Sequence, residues 1–494
     1  AANWAAKAGW RLRARGMRHG WSPLTLTATS TASDTILADT TQHLHRVELV
    51  QYAGLPAVRA ETGVLMEDLL AFLEDAGYGF TATTAVGAVS LGGVLAIDGH
   101  GSAVPAQGES PLPQQTYGSL SNRILALTAV VWDGARDEYV LRSFDRRDAD
   151  IGPLLTHLGR CFITEATLAV EPNQNLRCVS YVDITAAELF AAPGSGGRDI
   201  ASLLDAAGRI ESIWYPYTER PWLKVWSVCP EKPLLSRAVS QPYNYPFSDN
   251  LPDVLTNLIQ ALVAGQPELA PQLGAATYAV SSTGLAATAS FDLWGPSKNT
   301  LQFIKPTTLR VHPCSYVVLT RRDRVQQVLH EYTQAFLQRL EAYRAQDRYP
   351  VNMPIEYRVT GIDRASDIGL PGAQPVTLSA LHPHAAHADW DTVIWLTLLV
   401  IPGTPDAFPF FRETEQWLLA HFDPAFAVVR PEWSKGWAYR DDAAWSDADI
   451  IGEVVPALHR QGRDDGGWDA ARVAYARLDP AGIFSNDFLG RLFR

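Results

Sequence analysis

Arg11-Leu-Arg-Ala-Arg-Gly-Met-Arg-His-Gly-Trp-Ser-Pro23 decides how the rest of the chain is read. In its first half Leu12 and Ala14 alternate with Arg11, Arg13 and Arg15, which predicts a short half-buried strand with the apolar pair inward. In its second half Gly16 and Gly20 bracket Met17, Arg18 and His19. Glycine lets backbone come close to a ligand, and successive N–H groups in a tight turn form an anion nest. Strand, glycine turn, exposed amides and a histidine predict a cradle for a pyrophosphate. A basic surface hairpin with a chance histidine is the plainer alternative, so the remaining sequence has to decide.

The chain has 494 residues, 47% of them apolar, which is enough for two or three domains. Its 15 Trp point to an aromatic cavity or interface, or to a large core. Net charge is −12 and no basic run exceeds the arginine-dotted opening, which argues against nucleic acid and anionic membrane as partners. No apolar run reaches the roughly 18 residues of a membrane span, so stable membrane insertion is not expected. Cys161, Cys178, Cys229 and Cys314 lack metal-type spacing, and their pairing cannot be read from position. A first residue Ala1 rather than Met is compatible with a removed secretory signal.

Three glycine-rich stretches mark the first third. Residues 1–9 read as the end of a helix closed by Gly9, and Val64–Ala76 as a helix with Leu65, Met66, Leu69, Leu70 and Leu73 on one stripe. Val86–Gly101 follows, with five Gly among small and β-branched residues, as suits backbone lying against a flat phosphorylated ligand. Tyr117-Gly-Ser-Leu-Ser-Asn122 is a further small-residue turn, Ile124–Trp132 a strand, and Arg160–Val170 a turn feeding a buried strand. Beyond about 179 the strands lengthen and become aromatic: Trp222–Val228, Ser315–Thr320, Pro354–Gly361 and Thr392–Ile401. Helices are predicted over Val254–Ala264, Val325–Tyr343 and Phe408–Phe422. The expected class is α+β with two domains, 1–178 and 179–465, the tail 466–494 returning to the first.

Several side chains are placed for chemistry. On a strand, Glu356, Arg358 and Thr360 share one face, with neighbours about 6.5–7 Å apart, so the acid and base can pair. In Ile213–Trp226 five aromatics surround Glu219, and an apolar pocket raises a carboxyl pKa towards a useful base. If that turn is exposed, Glu219 is only a surface acid beside Arg220. His19 and His100 each sit among glycines, and Lys435 in an aromatic loop. His382, His384 and His387 have possible metal spacing but only Asp389 nearby, so a solvated loop is expected and no metal.

The order of these pieces resembles the flavoprotein oxidases of the vanillyl-alcohol-oxidase, or para-cresol-methylhydroxylase, type: Arg13–His19, then Gly87–Gly101, then Asp479–Phe484. Within that family the chain is most similar to class II cholesterol oxidases, through Arg15–Thr25, Tyr117–Asn122, Ile213–Trp226, Tyr243–Pro252, Pro354–Arg358 and Arg430–Trp437. The resemblance implies a split FAD-binding domain of two α+β subdomains, and a substrate domain built on a large antiparallel sheet flanked by helices. It implies FAD held covalently through His19. The cofactor set would be Arg15, Gly16, Met17, Arg18, Gly20, Ser90, Gly92, Gly93, His100, Gly101, Tyr117, Ser119, Asn122, Ile163 and Asn486.

It further implies oxidation of the cholesterol 3β-hydroxyl by O₂, then isomerisation of the 5-en-3-one to the 4-en-3-one. Glu219 would be the carboxylate near the reacting carbons, Glu356 and Arg358 a paired gate, and Lys435 the polar end of the pocket. A secreted bacterial monomer touching sterol-bearing membrane or micelle only transiently is the expected setting. Two departures stand out: Thr397 replaces an expected asparagine, and no glutamate accompanies His312-Pro-Cys314. An oxidase of the same fold acting on a polyol, lactone or phenol remains open, as does a non-catalytic FAD or sterol carrier.

Overall fold

The computed structural model describes residues 1–463 and 466–494, so the domain boundary drawn at 465 falls outside the described residues. Helix Ala2–Ala8 ends at Gly9, whose φ of 69° closes it. Strand β1 (Arg11–Arg15) follows and pairs in parallel with β2 (Thr35–Asp39). The expected alternation fails here: Leu12 is buried, but so is Arg13, and Ala14 is exposed. Arg13 is held by backbone carbonyls, Nε donating to Thr25, Nη1 to Gly159 and Phe484, and Nη2 to Leu24. A fixed fork of donors can be buried when each finds an acceptor. One arginine therefore ties the opening strand to the Gly159 turn and the C-terminal tail.

Strands β3 (Val47–Tyr52), β4 (Leu55–Glu61), β5 (Ile124–Asp133), β6 (Glu138–Asp145) and β7 (Phe162–Ala169) form an antiparallel sheet in the order β3-β4-β7-β5-β6. Helix Met66–Asp75 buries Met66, Leu69, Leu70 and Leu73 in the core that this sheet shares, as the stripe predicted. The Val86–Gly101 stretch contributes only one helical turn and a half, Leu91–Ala96, and is otherwise loop.

Among the described residues nine strands build the second sheet: β8 (Asn175–Tyr181), β9 (Arg209–Trp214), β10 (Trp222–Val228), β11 (Arg237–Ala238), β12 (Asp292–Pro296), β13 (His312–Thr320), β14 (Ile355–Thr360), β15 (Thr392–Val400) and β16 (Val428–Pro431). Their order is β11-β12-β8-β10-β9-β14-β15-β13-β16, antiparallel except for the β11–β12 edge pair. Period-two alternation sorts their side chains. Tyr316, Val318, Tyr357, Ile394 and Leu396 enter the large core with Leu329, Tyr332 and Phe336 of helix Val325–Arg344 and Phe410 of helix Ala407–His421. The opposite face is polar in its centre. Lys224 stands across from Glu211, Glu211 from Arg358, and Arg358 from Trp395. The Trp395 ring stacks 3.4 Å from the His100 ring, so this face is turned towards the glycine-rich loops.

Helix Ala270–Ala287 is absent from the sequence prediction because its Ala, Gly, Ser and Thr residues show no apolar stripe. Alanine favours helix regardless of pattern. The tail forms helices Gly467–Leu478 and Asp487–Leu492. Between them Asp479 accepts from Tyr139 Oη and from the amides of Ile483 and Phe484, and Leu12 N donates to Ile483 O. No helix among the described residues is long and apolar enough to cross a membrane. All four cysteines are unpaired.

Candidate active site

A cavity of about 600 Å³ lies between the glycine-rich loops and the polar face of the large sheet. The whole Arg15–Gly20 turn lines it, with Ser90, Gly92 and Gly93, His100 and Gly101, and Ile163 of β7. Glu356, Arg358 and Lys435 line it from the sheet side. Two glycines explain the fit of the loops. A Cβ on Gly16 would fall 2.0 Å from Ser90 Oγ, and one on Gly101 would fall 2.6 Å from Thr83 N. Both glycines thus serve loop-to-loop approach as well as any approach to a ligand.

The turn is docked onto the loop after β16. Trp21 N donates to Ser434 O, Ser22 Oγ donates to Lys435 O at 3.0 Å, and Lys435 Nζ lies 4.7 Å from the Trp21 ring centre. This puts His19 beside Lys435. Burial first, then Lys435 and Arg310, push the His19 pKa down to about 4. His100 is pushed down to about 4 by burial, against the pull of Glu432 and the Gly101 carbonyl. Both imidazoles are therefore neutral near neutral pH.

The acid–base centre is larger than the sequence indicated. Arg358 Nη1 pairs with Glu356 at 3.0 Å and Nη2 with Glu211 at 2.5 Å. Burial opposes the guanidinium charge, but Glu211, Glu356 and Glu432 outweigh it and hold Arg358 above its ordinary range. Glu432 follows β16 and bonds Ser315 Oγ at 2.6 Å and Ser434 Oγ at 3.0 Å. Burial opposes its charge, yet Lys435, His100, Ser315 and Arg358 keep its pKa below the usual carboxylate range. Ser315 Oγ also meets Thr397 Oγ1 at 2.8 Å. An acid thus stands beside the His312–Cys314 strand after all, supplied in space by Glu432. Thr397 belongs to that hydrogen-bonded group.

Other predicted positions lie elsewhere. Glu219 is exposed in the turn between β9 and β10 and does not reach the cavity. The strand carries Glu211 there instead, and of the aromatics around Glu219 Trp226 lines the cavity while Trp214, Tyr215, Tyr217 and Trp222 do not. Tyr117, Ser119, Asn122 and Asn486 form a layer behind the cavity. Tyr117 Oη donates to Glu109, Ser119 donates to Asp363, and Asn122 Nδ2 donates to Arg364 O. Asn486 caps the last helix and donates to the carbonyls of Pro23 and Leu24. They brace the loops rather than line the cavity. His384 and His387 sit with ring centres 4.8 Å apart, His387 stacked on Trp390, and no acidic, Cys or His cluster among the described residues is placed for a metal.

Glu211 and Glu432 are the residues that sequence reasoning missed. Glu432 is inside the quoted Arg430–Trp437 string, two positions from a buried arginine. Glu211 shares a strand face with Arg209 and Ile213 as Glu356 does with Arg358. That parity was the available signal.

The chemistry of the cavity suits FAD. Arg15 Nε, Thr83 Oγ1 and His157 Nε2 are buried in its lining with no hydrogen-bond partner among the described residues. Cationic Arg15 and Arg18 stand at the turn whose amides would meet a pyrophosphate. The comparisons agree with this. The family profile for the cholesterol oxidase substrate-binding domain matches residues 175–494, and that for an FAD-binding domain matches residues 1–136. A solvent-stable cholesterol oxidase is 51% identical, with TM-score 0.98 over 100% of this chain and 92% of its own. Cholesterol oxidase from Brevibacterium sterolicum is 44% identical, with TM-score 0.97 over 100% of this chain and 91% of its own. Berberine bridge enzyme from Eschscholzia californica, at 11% identity and TM-score 0.54 over 98% of this chain and 86% of its own, shares the fold alone. No curated protein sequence matches the chain.

Proposed function

The chain belongs to the FAD-dependent cholesterol oxidases, and from that premise we propose which of its residues serve the reaction. When bound, FAD would supply a two-electron acceptor for the hydride of sterol C3 and pass the electron pair to O₂, which with that hydrogen and the hydroxyl proton gives H₂O₂ and the ketone. The Arg15–Gly20 turn, Ser90, Gly92, Gly93 and Gly101 hold it, and His19 is its covalent attachment. What supports His19 is a neutral, half-buried imidazole in the wall of the cavity.

The sterol lies along Trp226, Leu301, Phe303 and Leu399, apolar residues of the lining. That lining favours a sterol over a polyol, which needs several converging polar groups. Isomerisation of cholest-5-en-3-one moves one proton from C4 to C6. We assign that transfer to Glu356: it shares its cation, whereas the more deeply buried Glu211 holds Arg358 at 2.5 Å. Lys435 and Glu432 close the polar end.

We read residues 1–178 and 466–494 as one FAD-binding unit and 179–465 as the sterol unit. The Asp479 bonds to Tyr139 and the Arg13 bond to Phe484 support this reading. We further propose a secreted monomer, as the resemblance implies. Leu234 and Leu235, 92% and 91% exposed, support transient contact with a sterol-bearing micelle or membrane.

The observation that carries the reading is the Glu356–Arg358–Glu211 cluster opening into the same cavity as the pyrophosphate turn. Under anaerobic conditions, cholesterol in detergent is expected to bleach the yellow flavin band, and air to restore it with formation of H₂O₂. A band that ignores cholesterol but bleaches with dithionite would keep the flavoprotein and remove the sterol.

A further inference from the structure

Lys224 stands on the polar face of the large sheet, and the reaction derived above makes no use of it. Strand alternation sends Trp222, Lys224 and Trp226 to that face, so the amine sits between two indoles. Lys224 is 0% exposed, and its Nζ has no hydrogen-bond partner among the described residues. Rings close around it. Nζ lies 2.8 Å from the ring centre of Phe303, 4.7 Å from Tyr245, 5.0 Å from Trp226 and 5.3 Å from Trp222. Two of these, Phe303 and Trp226, also line the cavity.

Ring faces attract an ammonium only weakly compared with the cost of taking it out of water. A buried charge is stable when an opposite charge stands near it. Here that charge is on the next strand. Lys224 faces Glu211 directly across the β9–β10 ladder, and Glu211 faces Arg358 across β9–β14. Directly opposed residues share a face, with Cβ atoms about 4.5–5.5 Å apart. Charges therefore alternate along the row, Glu356, Arg358, Glu211, Lys224, and sum to zero.

The other titratable groups around the row are accounted for. Cys178 and Tyr245 adjoin Lys224, and both are neutral, burial having raised their pKa values. Arg209, two residues before Glu211, is paired with Glu109 at 2.9 Å. Glu432 and His100 act on Arg358 from its far side. Burial lowers the Lys224 pKa to about 8 even though Glu211 opposes the shift.

We propose that Lys224 is a positioning residue: it stabilises Glu211 as an anion in the cavity wall, so that Arg358 is shared between Glu211 and Glu356. Without it the row carries a net negative charge, and Glu211 draws Arg358 away from Glu356. The functional part of the assignment rests on the isomerisation reading given above. The electrostatic part does not.

Two measurements on the flavin-loaded full chain test it. The first is a double-mutant cycle on thermal stability, with wild type, Lys224→Met, Glu211→Gln and the double variant. The Tm change caused by Lys224→Met is expected to differ between the Glu211 and Gln backgrounds by about 2 °C or more. Additive shifts overturn the proposal, because lost packing does not depend on the charge of a neighbour. The second supplies cholest-5-en-3-one directly and follows the conjugated ketone against pH. Wild type is expected to show an inflection near pH 8, where Lys224 loses its proton. Lys224→Arg, which stays charged, and Lys224→Met, which is never charged, should both lack it. Persistence of that inflection in a folded, flavin-loaded variant would overturn the assignment. Absence of isomerisation in wild type at every pH removes the isomerase reading, and the stability cycle then decides Lys224 alone.

Discussion

His19 enters the cavity wall with burial, Lys435 and Arg310 all opposing a positive charge, which leaves a nucleophilic ring nitrogen at neutral pH. Acid precipitation of wild type should therefore leave the flavin in the pellet, and His19→Ala should release it to the supernatant. Retention by that variant would move the link to His100, the other neutral imidazole of the lining. Glu356→Gln is expected to slow isomerisation of supplied cholest-5-en-3-one by about 100-fold or more, the scale of a lost general base, and to leave the flavin bound. An unchanged rate would transfer the role to Glu211. Glu219→Gln should change neither step, because its side chain is exposed. At this scale the turn that lines the cavity was legible in the sequence, since a glycine-bracketed histidine is a local feature. Glu219 does not reach the cavity although Glu211, eight residues earlier, does, because the strand Arg209–Trp214 ends between them and only its residues stay on the sheet face. Sequence reasoning also put Ala14 rather than Arg13 inward, because the carbonyls that satisfy Arg13 come from residues as distant as Phe484.

The loop after β16 is an element held from behind. Glu415, on helix Ala407–His421, accepts from the amides of Ala438 and Tyr439 and from Tyr316 Oη. Glu432 and Lys435 are carried on that loop. Burial raises the Glu415 pKa from 4.5 to about 7, against those hydrogen bonds. The folded state thus binds the Glu415 proton more tightly than the unfolded chain does. Its contribution is fully present below the unfolded value and is lost as pH rises through about 7. At about 1.4 kcal/mol per unit, the loss amounts to roughly 3 kcal/mol. Tm of wild type is expected to fall across this window more steeply than Tm of Glu415→Gln, and parallel curves would refute the assignment. Elements with a pattern were legible. Val325–Arg344 carries a continuous stripe, and its predicted end at Tyr343 is one residue short. Ala270–Ala287 was not legible, because it is helical through composition and its contact with Pro216 at Gly274, neither of which leaves a period.

The whole molecule brings distant segments to one cavity, among them the opening turn, the Ser90–Gly101 loop, the middle strands of the large sheet and the loop after β16. The order of motifs made the fold class and cofactor readable, but not the register that aligns Lys224, Glu211, Arg358 and Trp395, since cross-strand pairing leaves no mark on either strand alone. The same arrangement bears on how a substrate buried in lipid is reached. Leu234 and Leu235 lie in the segment between Cys229 and β11, almost wholly exposed. The chain then runs on to Tyr245, whose ring centre is 6.2 Å from that of the cavity-lining Phe303. An exposed leucine pair there, on a chain of net charge −12, fits an uncharged lipid surface better than an anionic one. Burying one leucine in lipid is worth about 1.5–3 kcal/mol, so Leu234→Ser with Leu235→Ser should raise the apparent KM for cholesterol in zwitterionic vesicles by about tenfold or more. The kcat for detergent-dispersed cholesterol should stay near wild type, because neither side chain lines the cavity. Equal losses in vesicles and detergent would place the damage in the cavity rather than at the lipid surface.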